Sequence, residues 1–400
     1  MKKITILGMG MGVGNLTQAA LMAIRQADVL LGSPRMQELI ELLPEARGKL
    51  FYPQYQPKAV QQLISSEEAC NFAILMSGDI GFYSGAAKLR SALEDYEMEF
   101  VPGISTVNAF FAKLGLAWEN AYFVSLHGRN NSLTDVIRRN RLTFCLTGNN
   151  IAQIGKDLNQ NGFGKIKIYV GENLEAKTER VYETLVEDLP AYEFPSLTVL
   201  LFVNENYDER TPTGLPDDRF HRLPSIPMTK SETRSIVLAS LQLKPQAICW
   251  DIGAGTGSAT IEMALNAYKG HVYAIERKED ALPLIRENCQ TFHLGNVTLV
   301  QGMAPAALAD LPKPDAVFIG GSGGEISEII KTVWQRNPNA RIVTTAVTIE
   351  TVSLSLQTYK ALGIEPEIKQ ISVARAKKVG NLHLMEAQNP ITVIVAGSSI

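Results

Sequence analysis

Short apolar runs alternate along the chain with amphipathic stretches of helical period, from the first residues to the last. That alternation predicts α/β architecture. In the first half "ITILGMG", "ADVLLG", "NFAILMSG", "EMEFVPG", "AYFVSLHG", "LTFCLTG", "KIKIYVG" and "SLTVLLFVN" read as strands. Most of them end at a glycine or a small polar residue. Ligands of open α/β sheets gather at the carboxyl ends of strands, so chemistry is expected at these endings. The second half starts afresh with the helix-like "SETRSIVLASLQL", followed by strands "AICWDIG", "HVYAIE", "VTLVQG", "DAVFIGG" and "RIVTTAV", with "EIKQISVAR" and "ITVIVAG" at the end.

Between the two series lies "NENYDERTPTGLPDDRFHRLPSIPMTK", residues 204–230. It is rich in Pro, Asp and Glu, lacks periodicity, and reads as a linker or a loop over the surface. The expected organisation is a domain over 1–205, a linker over 206–226 and a second domain over 227–400, with no internal repeat relating the halves. A chain of 400 residues also exceeds what one hydrophobic core usually organises.

Composition changes this picture little. Hydrophobic residues at 46% and charged residues at 20% are an ordinary globular balance. A formal net charge of −3 gives no general attraction to nucleic acid or to an anionic membrane. The opening "MKKITILGMGMGVG" is too short and glycine-broken for a leader and suits a buried first strand. No apolar stretch approaches the roughly 20 residues needed to span a bilayer. Cys70, Cys145, Cys249 and Cys289 form no C-x-x-C pair, and the histidines show no metal spacing, so no metal is expected. The chain reads as cytoplasmic, with a small molecule as its partner.

Two glycine turns carry the candidate chemistry. "DIGAGTGS" places Asp251, Gly253, Gly255 and Gly257 between an apolar strand and a helix-like segment, with Ala254 and Thr256 between the glycines. Such glycines let backbone approach a ligand, and the next helix offers its N-terminal N–H groups. A nicotinamide fingerprint would be G-x-G-x-x-G, cradling a pyrophosphate. Here an acid precedes the first glycine by two positions, which would repel pyrophosphate and suits a cationic ligand such as the methionine end of S-adenosyl-L-methionine. Glu276 closes the next strand, where a carboxylate can accept both ribose hydroxyls, and Gly302-Met303-Ala304 follows the third. Plain tight βα turns would use the same glycines. The opening "GMGMGVG" has glycines at 8, 10, 12 and 14 and no strand-ending acid at the right distance, so it is a different device.

The second half resembles the C15-methylating, decarboxylating module of cobalamin biosynthesis, through "MTKSETR" (228–234), "DIGAGTGSATIEMA" (251–264), "VYAIER" (272–277), "PDAVFIGGSGG" (314–324) and "NPITVIVAG" (389–397). The resemblance implies a Rossmann-like methyltransferase fold in which Thr229, Gly253 to Gly257, Glu276 and Ala304 contact S-adenosyl-L-methionine. "GGSGG" also stands where nucleic-acid amino-methylases carry an N-P-P-Y-type motif, which argues against DNA or RNA as substrate.

The first half resembles the two-lobed tetrapyrrole methylase family, through "ITILGMGMG", "SGDIGFYSGA" (77–86), "VPGISTVNAFFAKLGL" (101–116) and "VSLHGR" (124–129); "SLHGR" resembles the C5-methylating module. By that resemblance Gly8, Gly10, Ser77, Gly78, Asp79, Ser105 and Thr106 line a second methyl-donor site. Two departures affect loop shape, Met11 and Ile80 standing where the family commonly has proline.

Together the resemblances imply methylation of a precorrin or cobalt-precorrin macrocycle at C5 and C15, with loss of the C12 acetate as carbon dioxide, by a homo-oligomer. The tetrapyrrole carries many carboxylates, so cations should ring its pockets. Candidates are Lys230, Arg234, Arg375, Lys377 and Lys378 in the second half, and Arg129 and the arginines of 138–141 in the first. Gly320, Gly321 and Ser322 are further substrate-side candidates, and Glu350 in "AVTIET" is the candidate base. The residues leave open a tetrapyrrole methylase fused to an unrelated methyltransferase, and also a nicotinamide-dependent oxidoreductase or a nucleotide-sensing binding protein.

Overall fold

The computed structural model describes residues 2–126, 133–148, 150–208 and 213–397. The chain forms two units, one of residues 1–129, 142–153 and 166–203, the other of 130–141, 154–165 and 204–400.

In the first unit, strands β1 (Lys3–Gly8), β2 (Val29–Gly32), β3 (Leu50–Tyr52), β4 (Asn71–Met76) and β5 (Glu97–Val101) form a parallel sheet of order β3-β2-β4-β1-β5. Strand alternation sorts their side chains onto two faces. Leu7, Leu30, Ala73 and Leu75 pack on one, and Ile4, Ile6, Phe72 and Ile74 on the other. Strands β6 (Ala121–Ser125), β7 (Leu142–Leu146), β8 (Lys167–Glu172), β9 (Arg180–Leu185) and β10 (Thr198–Val203) form a mixed sheet of order β6-β7-β10-β8-β9. Its core holds Phe110, Phe111 and Phe144 against Val199 and Leu201.

The second unit contains β11 (Ile248–Ile252), β12 (His271–Glu276), β13 (Val297–Gln301), β14 (Ala316–Ile319), β15 (Arg341–Ala346), β16 (Glu367–Ile371), β17 (Ala374–Val379), β18 (Leu382–Ala387) and β19 (Ile391–Ala396). Seven of them form one sheet, β13-β12-β11-β14-β15-β19-β16, in which β19 runs antiparallel to both neighbours. Cys249, Val272, Phe318, Val343 and Val393 face one layer, while Trp250, Ile275, Val317, Ile342 and Ile394 face the other. Covered on both faces, the central strands need apolar residues at nearly every position, which is why they read as unbroken runs. Chain order reverses between β11 and β14, and a crevice at the carboxyl ends of those two strands is the expected ligand site. Strands β17 and β18 pair only with each other, and every residue in them is exposed.

The stretch read from sequence as a linker is not merely a surface strap over its second part. Phe220 and Ile226 are each only 4% exposed. Phe220 joins the core of the second unit, and Ile226 packs on Ala281 and Leu284. The segment shows no periodicity because its backbone is irregular, so its two buried side chains follow no helical or strand spacing.

Candidate functional site

In the second unit a cavity of about 260 Å³ opens at the reversal point, lined by turns from four adjacent strands. Gly253, Ala254 and Gly255 follow β11, and Glu276, Arg277 and Lys278 close or follow β12. Gly302, Met303 and Ala304 follow β13, and Gly320 to Gly323 follow β14, with Pro227 and Thr229 completing the wall. The glycines are there for space. A Cβ on Gly253 would lie 2.6–2.8 Å from three backbone atoms of Gly321, and one on Gly255 would lie 2.6 Å from the Pro227 carbonyl oxygen. Both residues also have positive φ, +76° and +56°, which side chains disfavour.

Glu276 holds the turn. Its Oε2 accepts from the Gly255 N–H (2.8 Å) and its Oε1 from the Lys278 N–H (2.9 Å). Each carboxylate oxygen keeps a further lone pair for a ligand hydroxyl.

Asp251 lies beneath the turn and not on the cavity wall. It is fully buried, and its Oδ2 accepts from Thr260 Oγ1 at 2.5 Å. Burial pushes its carboxyl up to about 7, with Glu276 adding to the rise. The folded state therefore holds a proton that the unfolded chain releases from about pH 4, and stability falls as pH rises from about 4 to about 7. Thermal unfolding of the wild type and Asp251→Asn at about pH 5 and about pH 8 checks this. The wild type should lose ground to the variant at the higher pH; a constant difference contradicts it.

Several other expected residues also sit outside the cavity. Thr256 is fully buried, and its carbonyl accepts from Asn288 Nδ2 (2.8 Å). Gly257, φ +78°, caps the helix Ser258–Asn266. Arg234, expected to meet substrate, is 0% exposed and already committed. Its Nε donates to Glu262 Oε1 (2.6 Å), its Nη1 to the Thr229 carbonyl (2.6 Å), and its Nη2 to the Leu215 carbonyl. The physical reason is Glu262: a carboxylate in a wholly buried helical stretch requires a cation, and Arg234 supplies it. Arg234 thus supports the cavity through Thr229 and does not line it.

Arg375 is exposed and paired with Glu232 (2.6 Å), whose carboxyl its hydrogen bond holds down to about 2. Lys230 Nζ lies 4.0 Å from Asp217, and Lys377 pairs with Glu386 at 3.3 Å. Lys378 and Glu350 are exposed, Glu350 in the first turn of the helix Ile349–Ala361. Arg277 and Lys278 on the cavity wall were not singled out from sequence, although they directly follow the strand-ending Glu276 that was.

In the first unit the expected residues bind one another. Gly10 and Gly78 exchange backbone hydrogen bonds (3.1 and 2.9 Å), joining the loops after β1 and β4. A Cβ on Gly8 would lie 2.5 Å from the Gly78 carbonyl oxygen and 2.7 Å from the Gly103 nitrogen. Asp79 accepts from the Gly81 N–H (2.8 Å) and the Gly103 N–H (3.1 Å), tying in the loop after β5. Ser105 caps the helix Thr106–Leu114 through the Asn108 N–H (3.1 Å), and Thr106 Oγ1 donates to Met11 Sδ (3.3 Å). Ser77 is exposed. A hollow of about 950 Å³ lies beside this knot, lined by Gly103, Ile104, Asn108, Lys113, Trp118 and others, but by none of the residues expected from sequence. Arg129 lies outside the described residues. The arginines of 138–141, expected from sequence to serve the first half, belong to the second unit, where Arg138 and Asp135 form a buried pair at 3.5 Å, Arg139 stacks on Tyr268, and Arg141 pairs with Glu205 at 2.8 Å.

No helix of the described residues is long and apolar enough to cross a membrane. A family model described as "Precorrin methyltransferase domain" matches residues 225–397, and one described as "Tetrapyrrole (Corrin/Porphyrin) Methylases" matches residues 3–190. The probable cobalt-precorrin-6B C(15)-methyltransferase (decarboxylating) of Pyrobaculum calidifontis is 40% identical over 46% of this chain and 95% of its own length. The precorrin-6Y C(5,15)-methyltransferase [decarboxylating] of Sinorhizobium sp is 28% identical over 97% of this chain and 95% of its own. A crystal structure of a precorrin-6y C5,15-methyltransferase from Geobacter metallireducens GS-15 is 38% identical, covering 46% of this chain and 97% of that one, with a TM-score of 0.44. By these matches, which take in both halves, the chain belongs to the decarboxylating precorrin C5,15-methyltransferase family.

Proposed function

We propose that the chain methylates a precorrin or cobalt-precorrin macrocycle at C5 and C15 and removes its C12 acetate as carbon dioxide, in cobalamin biosynthesis. The second unit carries the C15 and decarboxylation steps and the first carries C5 methylation. The observation that carries this reading is the convergence of Gly253, Gly255, Glu276, Ala304 and Thr229 on one cavity in a chain of this family.

S-adenosyl-L-methionine, when bound, supplies an electrophilic methyl group on a sulfonium. The cavity fits it on its own terms. Space against Gly253 and Gly255 admits no Cβ, so a ligand meets bare backbone there. Glu276 presents carboxylate oxygens for the ribose. Positioning supplies much of the rate, because the acceptor carbons of the conjugated ring are already electron-rich. Arg277 and Lys278 at the rim offer charge-assisted hydrogen bonds to substrate carboxylates. Glu350 is the proposed acceptor of the proton displaced on methylation.

Calorimetric titration of the full chain with S-adenosylhomocysteine tests the donor assignment. Two equivalents should bind, and NAD should give no heat. Binding of NAD, or no binding of S-adenosylhomocysteine, contradicts the reading.

A further inference from the structure

The loop after β15 breaks the usual rule for a surface. Ile349 is 84% exposed and Val347 71%, the highest values among the exposed large apolar side chains of the described residues. The loop is held, not frayed. Ala346 before it is 4% exposed, and Thr348 between the two caps the following helix by accepting from the Thr351 N–H (3.2 Å). Two aliphatic side chains are therefore kept in water by a fixed backbone, which asks for an occupant.

Their place in the sheet says which. Strand β15 lies beside β14, with Ile319 level with Thr344. The loop after β15 thus leaves the same end of the sheet, two residues further along, from the strand next to the one that carries the Gly320–Gly324 loop walling the cavity. That glycine loop is exposed and carries no side chain larger than a serine's, so a flat molecule can lie across it. On its other side stand Met303, 41% exposed, and Arg277, whose Nη1 lies 3.3 Å from where a Gly323 Cβ would be. The order along the rim is cation and thioether, bare glycine backbone, then two aliphatic side chains. A planar apolar ring edged with carboxylates is complementary to that order.

We propose that Val347 and Ile349 are the platform on which one face of the macrocycle rests during the second unit's reaction, with Arg277 receiving a peripheral carboxylate. This rests on the functional reading above and adds the residues that orient the acceptor. A second copy of the chain is the other conceivable occupant. Two side chains, however, cover far less than the roughly 800 Å² per partner of a stable protein interface, whereas they match one ring face.

The test uses the full chain with Val347→Asp, Ile349→Asp and the conservative Ile349→Leu, assayed on the precorrin or cobalt-precorrin macrocycle. Both side chains are exposed, so the fold should survive; unfolding midpoints verify it. The aspartates should raise KM for the macrocycle about tenfold or more, because a carboxylate would face the ring and its acid substituents. S-adenosylhomocysteine affinity should stay within about twofold of the wild type, and Ile349→Leu should retain the wild-type KM. A macrocycle KM within about twofold of the wild type in both aspartate variants overturns the platform. A changed subunit count in solution with unchanged KM also overturns it and gives the patch to a second copy. If the wild type itself does not turn the macrocycle over, the functional reading fails and the platform with it.

Discussion

Gly253→Ala abolishes one of the two donor equivalents and lowers C15 methylation by about 100-fold or more. The added methyl would sit 2.6–2.8 Å from the nitrogen, Cα and carbonyl oxygen of Gly321. None of these is a flexible side chain that could swing away, because β11 and β14 are locked in register at Trp250↔Val317 and Ile252↔Ile319. The alternative is to leave φ +76°, which strains the turn further, by about 1–3 kcal/mol. Either way the Gly253–Gly255 backbone and the Gly320–Gly323 wall move apart, and displacement of the order of 1 Å at a reacting centre can cost about 100-fold in rate. The control is internal. The first unit should keep its equivalent of S-adenosylhomocysteine, so loss of both would show that one site had been counted twice.

Arg234→Ala lowers the stability of the second unit by about 3–5 kcal/mol, because the charge left behind has nowhere to go. Glu262 is fully buried, and its other partners among the described residues are the Gly214 and Leu215 N–H groups, at 2.7 and 2.9 Å. The Thr229 and Leu215 carbonyls lose a donor at the same time. The unfolding midpoint of this unit should fall by roughly 10 °C. Arg234→Met combined with Glu262→Leu should recover much of the loss, since removing both charges leaves no buried ion unpaired. A single variant as stable as the wild type would contradict this description of the strut. Loss of activity without loss of stability would instead return Arg234 to the substrate.

The glycine turn of the second unit was legible because its signals are local. A strand, an acid, three alternate glycines and a second strand-ending acid stand within one short stretch, and the fold brings Gly253, Gly255 and Glu276 from it to one cavity. Arg234 was misread because a sequence displays a charge without its partner. Its partner was nonetheless visible in principle, as the lone acid of "SATIEMAL" in a helix with no exposed face. In the first unit the glycines and Asp79 were singled out for a ligand, but their hydrogen bonds run to the neighbouring loops. Such close crossing of three loops depends on strand order β4-β1-β5, which no local pattern reveals. Phe220 and Ile226 were hidden for a related reason, since an irregular segment buries side chains at no fixed interval. The rim beyond the cavity was missed because Ile349 and the glycine loop after β14 become neighbours only through the sheet.

The division of labour between the units is the central claim, and the mass of the product released by Asp79→Ala tests it most directly. Asp79 ties the loops after β4 and β5 in the first unit, so its loss should disable C5 methylation alone. With the macrocycle as substrate, this variant should release a product richer by one methyl group and poorer by carbon dioxide. Gly253→Ala, assayed in parallel, should leave every carboxylate in place. An Asp79→Ala product that keeps its carboxylate, beside a Gly253→Ala product that has lost it, would reverse the assignment and contradict the account.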